Sequence, residues 1–248
     1  MKYGIISDIH EDIVNLKLAL RKIEKVGCDE IMCLGDISGY SARNHFFHDE
    51  RNASECLRLV RENCSIIVAG NHDLHAARRL PGIKSNFDYP VDWYFNDFKT
   101  KKKLSSGKVW LYDDDELDPL YTIEEREYIK KIPEFFVLNH NDNKILLSHF
   151  IHPNLTGSSR IFYSLNEEFD KHKSFMKEKG CTYAFAGHRH YLGLYVSSRD
   201  KIFRKGFNRK YSLGELDCVL VPSIVRNKFH NGFCIFDNKN KTVIAKRI

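Results

Sequence analysis

Apolar residues in the amino-terminal part of the chain recur in two alternating periods. "KYGIIS" (2–7) is a short apolar run that reads as a buried strand. "DIVNLKLALRKIEKV" (12–26) follows, with Ile13, Leu16, Leu20 and Ile23 on one helical face. "EIMCL" (30–34) repeats the strand pattern, "ASECLRLVREN" (53–63) the helical one, and "CSIIVA" (64–69) is a third strand. Strand–helix–strand alternation predicts parallel strands joined by right-handed crossovers.

The pattern changes after residue 74. Residues 74–121 show no sustained period, although "DWYFNDFKTKKKL" (92–104) fits a helix with an aromatic face. "TIEEREYIKKI" (122–132) opens with Thr122 and places Glu125 three residues on, the signature of a capping box. "EFFVLNHNDNKILLSHF" holds two apolar runs around an Asn/Asp turn and predicts a hairpin. "LNEEFDKHKSFMKEKG" (165–180) reads as a helix closed by Gly180. The remaining apolar runs, "YAFA", "GLYVSS", "DCVLVPS", "GFCIFD" and "TVIAKRI", are all strand-like. No repeat, linker or shift in composition divides the chain, so a single domain over residues 1–248 with two sheets is expected.

Composition narrows this picture in three ways. No apolar run approaches the ~18 residues of a membrane span, and "MKYGIISDIH" lacks the long apolar stretch of a signal peptide. The seven cysteines are scattered, without a CxxC pair, so free thiols in a reducing cytoplasm are expected. The net charge of +6 suits a phosphate-bearing ligand without requiring nucleic acid. The basic runs "KTKKK" (99–103) and "RKGFNRK" (204–210) read as solvated surface; an RNA face would need them interleaved with aromatics such as Phe203, Phe207 and Tyr211.

The chemistry-bearing residues fall where strands end. "SDIH" supplies Asp8 and His10, "LGDISGY" Asp36, and "AGNHD" Asn71, His72 and Asp73. "LLSHF" supplies His149, and "AGHRH" supplies His188 and His190. Ligands of open α/β sheets bind beyond the carboxyl ends of the strands. Each piece alone has an ordinary structural use: a helix cap, a turn, a hydrogen-bonded histidine. Those uses do not require five such groups, each at a strand end. Carboxylate, amide and imidazole donors without thiolate suit manganese, iron or zinc in a hydrolytic site. Their number exceeds what one ion needs and points to two ions sharing a carboxylate.

With these motifs the sequence resembles the calcineurin-like metallophosphoesterases, and within them the compact bacterial-type phosphatases and phosphodiesterases. "DIH", "GDISG", "GNHD", "SH" and "GHRH" stand for the family's DxH, GDxxG, GNHD/E, strand-end histidine and GHxH elements. "YTIEEREYIKKIP" and "VPSIVRNKFHNGFCIFD" resemble two further recurring segments. The resemblance implies a four-layer α/β sandwich, two mixed sheets flanked by helices. It also implies two divalent ions, manganese first and iron, zinc or nickel as alternatives. Asp8, His10 and His190 would hold one, Asn71, His149 and His188 the other, with Asp36 bridging both. A bridging hydroxide would attack phosphorus, and His72 would protonate the leaving oxygen or stabilise the phosphoryl group. Asp73 would orient that imidazole or cap the next helix.

Some positions depart from the family pattern. Glu11 and Asp12 follow DxH where relatives carry glycine and asparagine, so Glu11 is expected to add charge at the rim and Asp12 to cap the first helix. Phe150 replaces a glycine, and Val225 replaces the proline before Arg226. Arg226 and Arg160 are the candidate phosphate contacts, each with a solvated alternative. The implied partner is a phosphorylated small molecule or nucleotide. A nuclease on the same scaffold, or a protein-binding module of this fold, are the alternatives; the latter should lack ligands that this chain retains.

Overall fold

The computed structural model describes residues 1–140, 143–160, 165–199, 201–227 and 231–248. The elements, in chain order, begin with β1 (Lys2–Ile6), α1 (Ile13–Val26), β2 (Glu30–Cys33), β3 (Tyr40–Ser41), α2 (Ala53–Asn63), β4 (Ile66–Ile67) and α3 (Asn71–Ala76). They continue with α4 (Phe98–Ser105), β5 (Glu116–Leu117), α5 (Ile123–Lys131), β6 (Phe135–His140), β7 (Asn143–Ser148), α6 (Leu165–Glu178) and β8 (Tyr183–Ala186). The last are β9 (Leu194–Ser198), β10 (Lys201–Lys205), β11 (Lys210–Ser212), β12 (Asp217–Leu220), β13 (Gly232–Asp237) and β14 (Thr242–Arg247).

Two six-stranded sheets form, ordered β11-β14-β13-β1-β2-β4 and β10-β9-β12-β8-β7-β6. Within the first, β1, β2 and β4 run parallel, and within the second, β7, β8 and β12 do. The other pairings are antiparallel, so both sheets are mixed.

The period of two along each strand divides its side chains between two apolar layers. Tyr3, Ile5, Met32 and Phe236 of the first sheet meet Ile145, Leu147, Phe185 and Val219 of the second in a shared core. Ile6, Cys33 and Phe233 point the other way, against Leu16 and Ile23 of α1 and Leu57 and Val60 of α2. On the far side Leu146, Ala184 and Leu220 pack against Phe169 and Met176 of α6. The result is the expected helix–sheet–sheet–helix sandwich. A one-residue slip in any of these strands would swap its core for the wrong layer.

Local signals held at several element ends. Asp12 caps α1 through Asn15 N at 3.1 Å. Thr122 and Glu125 cap α5 reciprocally, at 3.2 and 2.7 Å. Each such cap contributes about 1 kcal/mol. The 92–104 helix is shorter than its period predicts. Asp97 accepts a hydrogen bond from Thr100 N at 2.7 Å and starts α4 there, leaving Trp93–Phe95 as a separate 3₁₀ turn.

The basic runs are not simply solvated. Lys101 is buried on α4, with Nζ 2.6 Å from Asp113. Residues 204–210 straddle the edge strands β10 and β11, one at the margin of each sheet. Lysines on edge strands oppose edge-to-edge association. Among the described residues, no helix is long and apolar enough to cross a membrane.

Candidate metal centre

The five strands that end in polar motifs all present their carboxyl ends at one rim. The first sheet delivers Asp8 and His10 after β1, Asp36 after β2, and Asn71 and His72 after β4. The second delivers His149 after β7, and His188 and His190 after β8. The loops after β1 and β2 are laced together: Asp8 N donates to Gly35 O (3.0 Å), while Ile9 N and His10 N share Asp36 O (2.8 and 3.0 Å). Five of the seven candidate ligands, Asp8, His10, Asp36, His188 and His190, have φ between +47° and +68°. Non-glycine residues there cost roughly 1–2 kcal/mol each, so the surrounding hydrogen bonds hold a conformation that the free chain would avoid.

These side chains converge. Asp36 Oδ2 lies 3.0 Å from His149 Nε2 and 3.9 Å from the Nε2 atoms of both His10 and His72. Asp8 Oδ1 lies 3.2 Å from His190 Nε2 and 3.9 Å from His149 Nε2. Donor atoms of Asp8, His10 and His190 lie within 4.8 Å of one another, as do those of Asp36, His149 and His188, and those of His10, Asp36 and His72.

The donor set fits cations. His10 Nδ1 lies 2.9 Å from Gly39 O and His149 Nδ1 lies 2.7 Å from Leu34 O. A carbonyl only accepts, so both Nδ1 atoms carry the proton and both Nε2 lone pairs turn inward. There His10 Nε2 faces His190 Nε2 at 3.2 Å, and His149 Nε2 faces His188 Nδ1 at 3.3 Å. Facing nitrogens at that distance need a proton or a cation between them. Asn71 makes the third case. Its Nδ2 donates to Tyr112 Oη at 2.7 Å, while its buried Oδ1 has no partner among the described residues.

Electrostatics point the same way. Burial alone would raise the pKa of Asp8, but His190, His149 and His10 outweigh it and hold the carboxyl far below its ordinary range. Asp36 is held low in the same manner, by His149 and His72. Burial lowers His188 to about 3, reinforced by His149. Burial also opposes charge on His149, yet the Asp36 carboxylate raises it to about 9. The field that retains a proton on His149 is the field that a divalent cation would occupy in its place.

His72 stands at the edge of this centre, with a donor atom within 4.8 Å of those of His10 and Asp36. Its backbone N–H donates to Asp36 Oδ1 at 2.9 Å, and its Nδ1 is in direct contact with Glu116 Oε1. Burial disfavours its charge, but Glu116 and Asp36 raise the imidazole to about 10. Asp73 does not touch the ring. Its Oδ1 accepts from Ile37 N and Ser38 N (2.9 and 3.0 Å) and its Oδ2 from Gly70 N (3.1 Å). It therefore caps α3 and ties it to the Asp36 loop.

A cavity of about 750 Å³ opens from the centre, lined by His72, Glu116, Tyr112, Trp110 and Lys102 among others. Arg160 is in its wall, with its guanidinium 4.6 Å from the centre of the Trp110 ring. Arg226 is not among the lining residues. Its Nε donates to Asp12 Oδ2 at 2.9 Å, Nη1 contacts Glu50, and the group lies over Phe47. Glu11 does not project charge at the rim either. It is buried, pairs with Arg51 at 3.3 Å, and accepts from Gly39 N and Tyr40 N at 3.3 Å.

Sequence reasoning missed Glu116 and Tyr112. Both lie in the stretch without period, and the acidic run around Glu116 carries no local mark of burial.

The chain is 29% identical, over 146 residues, to an uncharacterized protein of Methanocaldococcus jannaschii; the match covers 59% of this chain and 48% of that relative, about half its length. A metallophosphoesterase from Sphaerobacter thermophilus superposes over all of this chain and 88% of its own, with TM-score 0.65 and 22% identity. A hypothetical protein from Pyrococcus horikoshii does so over all of this chain and 87% of its own, with TM-score 0.60 and 16% identity. These two share the fold. The sequence profile described as calcineurin-like phosphoesterase matches residues 1–192, which spans all five strand-end motifs. With the donors of those motifs gathered at one rim, the chain belongs to the calcineurin-like phosphoesterase family.

Proposed function

We propose that this chain hydrolyses a phosphate mono- or diester with two divalent cations. Asp8, His10 and His190 would hold one, Asn71, His149 and His188 the other, and Asp36 would be shared. The observation that carries this reading is the meeting of carboxylate, amide and inward-turned imidazole donors around Asp36. When bound, such a pair supplies Lewis-acid charge and acidifies water, and manganese is the first choice of metal.

The chain's own groups supply the rest. His72 Nε2 faces the space beside Asp36, from which it would donate a proton to the leaving oxygen or a hydrogen bond to the phosphoryl group. Arg160 makes no ion pair among the described residues and would take a phosphate oxygen at the cavity wall. The cavity's volume suits a phosphorylated small molecule or nucleotide.

The test is direct. Purified protein, loaded in turn with manganese, iron, zinc and nickel, is assayed for metal content and for hydrolysis of p-nitrophenyl phosphate and its bis ester. About two ions per chain and turnover of one ester are expected. Metal-loaded protein inert on both esters, on nucleotides and on RNA refutes the reading.

A further inference from the structure

We infer that Glu116 is the positioning residue that aims His72 at the leaving oxygen, an inference that rests on the phosphoesterase reading above. Glu116 belongs to β5, outside every motif that marks the family. Its side chain is only 6% exposed, and His72 is its sole ion-pair partner among the described residues. A carboxylate is not buried without a partner to offset its desolvation, and here that partner is the imidazole.

The backbone holds the pair in place. Glu116 is in register with Ser41 and Leu117 with Tyr40, which joins β5 to the segment just after Asp36. Ser41 Oγ donates to Asp115 Oδ2 at 2.6 Å, and Ala42 N donates to Asp115 O at 3.0 Å. Glu116 N closes the turn on Tyr112 O at 2.9 Å. On another side of the imidazole, the Tyr112 ring lies 4.7 Å away, centre to centre. Asp73, the adjacent acid in sequence, has both oxygens committed to backbone amides and cannot take this role.

The consequence is a fixed orientation of the His72 ring. With Nδ1 against the Glu116 carboxylate, Nε2 is the ring nitrogen that faces Asp36 and the one placed to deliver a proton. As a water oxygen bonds to phosphorus and the ester P–O bond breaks, the electron pair of the broken bond stays on the leaving oxygen. The Nε2 proton neutralises that oxygen, and the ring is left neutral with its Nδ1 hydrogen in place. Without Glu116 the ring could rotate, and Nε2 would no longer be presented beside Asp36.

The experiment uses the full chain loaded with manganese and a series of phosphate monoesters whose leaving groups range from p-nitrophenol to phenol and alkyl alcohols. Glu116→Ala should lower kcat about 100-fold on phenyl and alkyl esters and less than about threefold on p-nitrophenyl phosphate, whose leaving group needs no acid. Metal content should stay at the wild-type value. Glu116→Gln keeps volume and an acceptor oxygen; it guards against a folding loss and should recover part of the rate. In a His72→Asn background, Glu116→Ala should cost nothing further. An unchanged dependence on leaving group, or the same loss in both backgrounds, overturns the positioning role while the hydrolase reading stands. Wild-type protein inert on the whole series defeats that reading and this inference with it.

Discussion

Gly70 offers a sharp test of whether Asp36 is shared by two cations. Its φ of −96° and ψ of 179° are open to any residue, so alanine there acts through contact and not through backbone strain. A Cβ at this position would lie 2.7 Å from both Cγ and the backbone N of Asp36, and closer still to Oδ1. Ordinary contact begins near 3.4 Å, so the carboxylate must retreat by about 0.7 Å or more. Ligand positions tolerate shifts of only ~0.2 Å, so the bridge should fail for both ions. The overpacking itself should cost ~1–3 kcal/mol of stability, which leaves a folded protein to measure. Gly157→Ala provides the contrast. Its Cβ would lie 2.5 Å from His188 Nδ1 and 2.7 Å from Asn71 Oδ1, two donors of one half of the centre, while its φ of +79° adds strain. Metal content after dialysis, with circular dichroism to verify folding, reads the outcome. Gly157→Ala should retain close to one ion per chain, and Gly70→Ala should weaken both. A folded Gly70→Ala that keeps two tightly bound ions would refute the shared-carboxylate geometry.

Three further expectations follow from separate contacts. Tyr112→Phe removes the hydroxyl that accepts from Asn71 Nδ2, so the amide is free to flip, and metal affinity measured by calorimetry should fall about 10–100-fold. Arg226→Ala should lower stability in urea unfolding by ~1–2 kcal/mol, because buried Asp12 loses a charged donor, while KM for substrate is unchanged; a raised KM at unchanged stability would restore Arg226 as a substrate contact. His172 is fully buried on the inner face of α6, where Nδ1 accepts from His152 N at 2.9 Å, and burial, aided by His152, lowers its pKa to about 3. The unfolded chain binds this proton from about pH 6.5 downward and the folded chain does not, so stability should fall as pH drops from 6.5 toward 3. By pH 5 this one group should account for ~2 kcal/mol. His172→Asn keeps an acceptor without the titration and should flatten that slope; an equal slope in both proteins would disprove the assignment.

The sandwich was legible because each strand's period assigns its side chains to a layer, as Ile5 and Ile6 do by pointing to opposite cores. The centre was legible because its donors are tied to strand ends, which carry turn residues and motifs. Three things were not legible, each for a physical reason. Glu116 meets His72 from 44 positions away through strand register, which no local pattern encodes. Lys101 lies in a run of four cationic residues interrupted by Thr100, and only the tertiary position of Asp113 selects it for burial. Asp73 could cap or orient by sequence, and the choice fell to the amides of Ile37 and Ser38, contributed by another loop.

The donors are divided between the two sheets: Asp8, His10, Asp36 and Asn71 on one, His149, His188 and His190 on the other. Cations bound there would act as rivets across the sandwich, and the apolar slab beneath them would be the spacer that sets the gap. Thermodynamic linkage then runs in both directions. Thinning the slab at Phe185 or Phe236, with no polar atom altered, should register as a change in metal affinity, and loading the metal should lock the sheets against sliding.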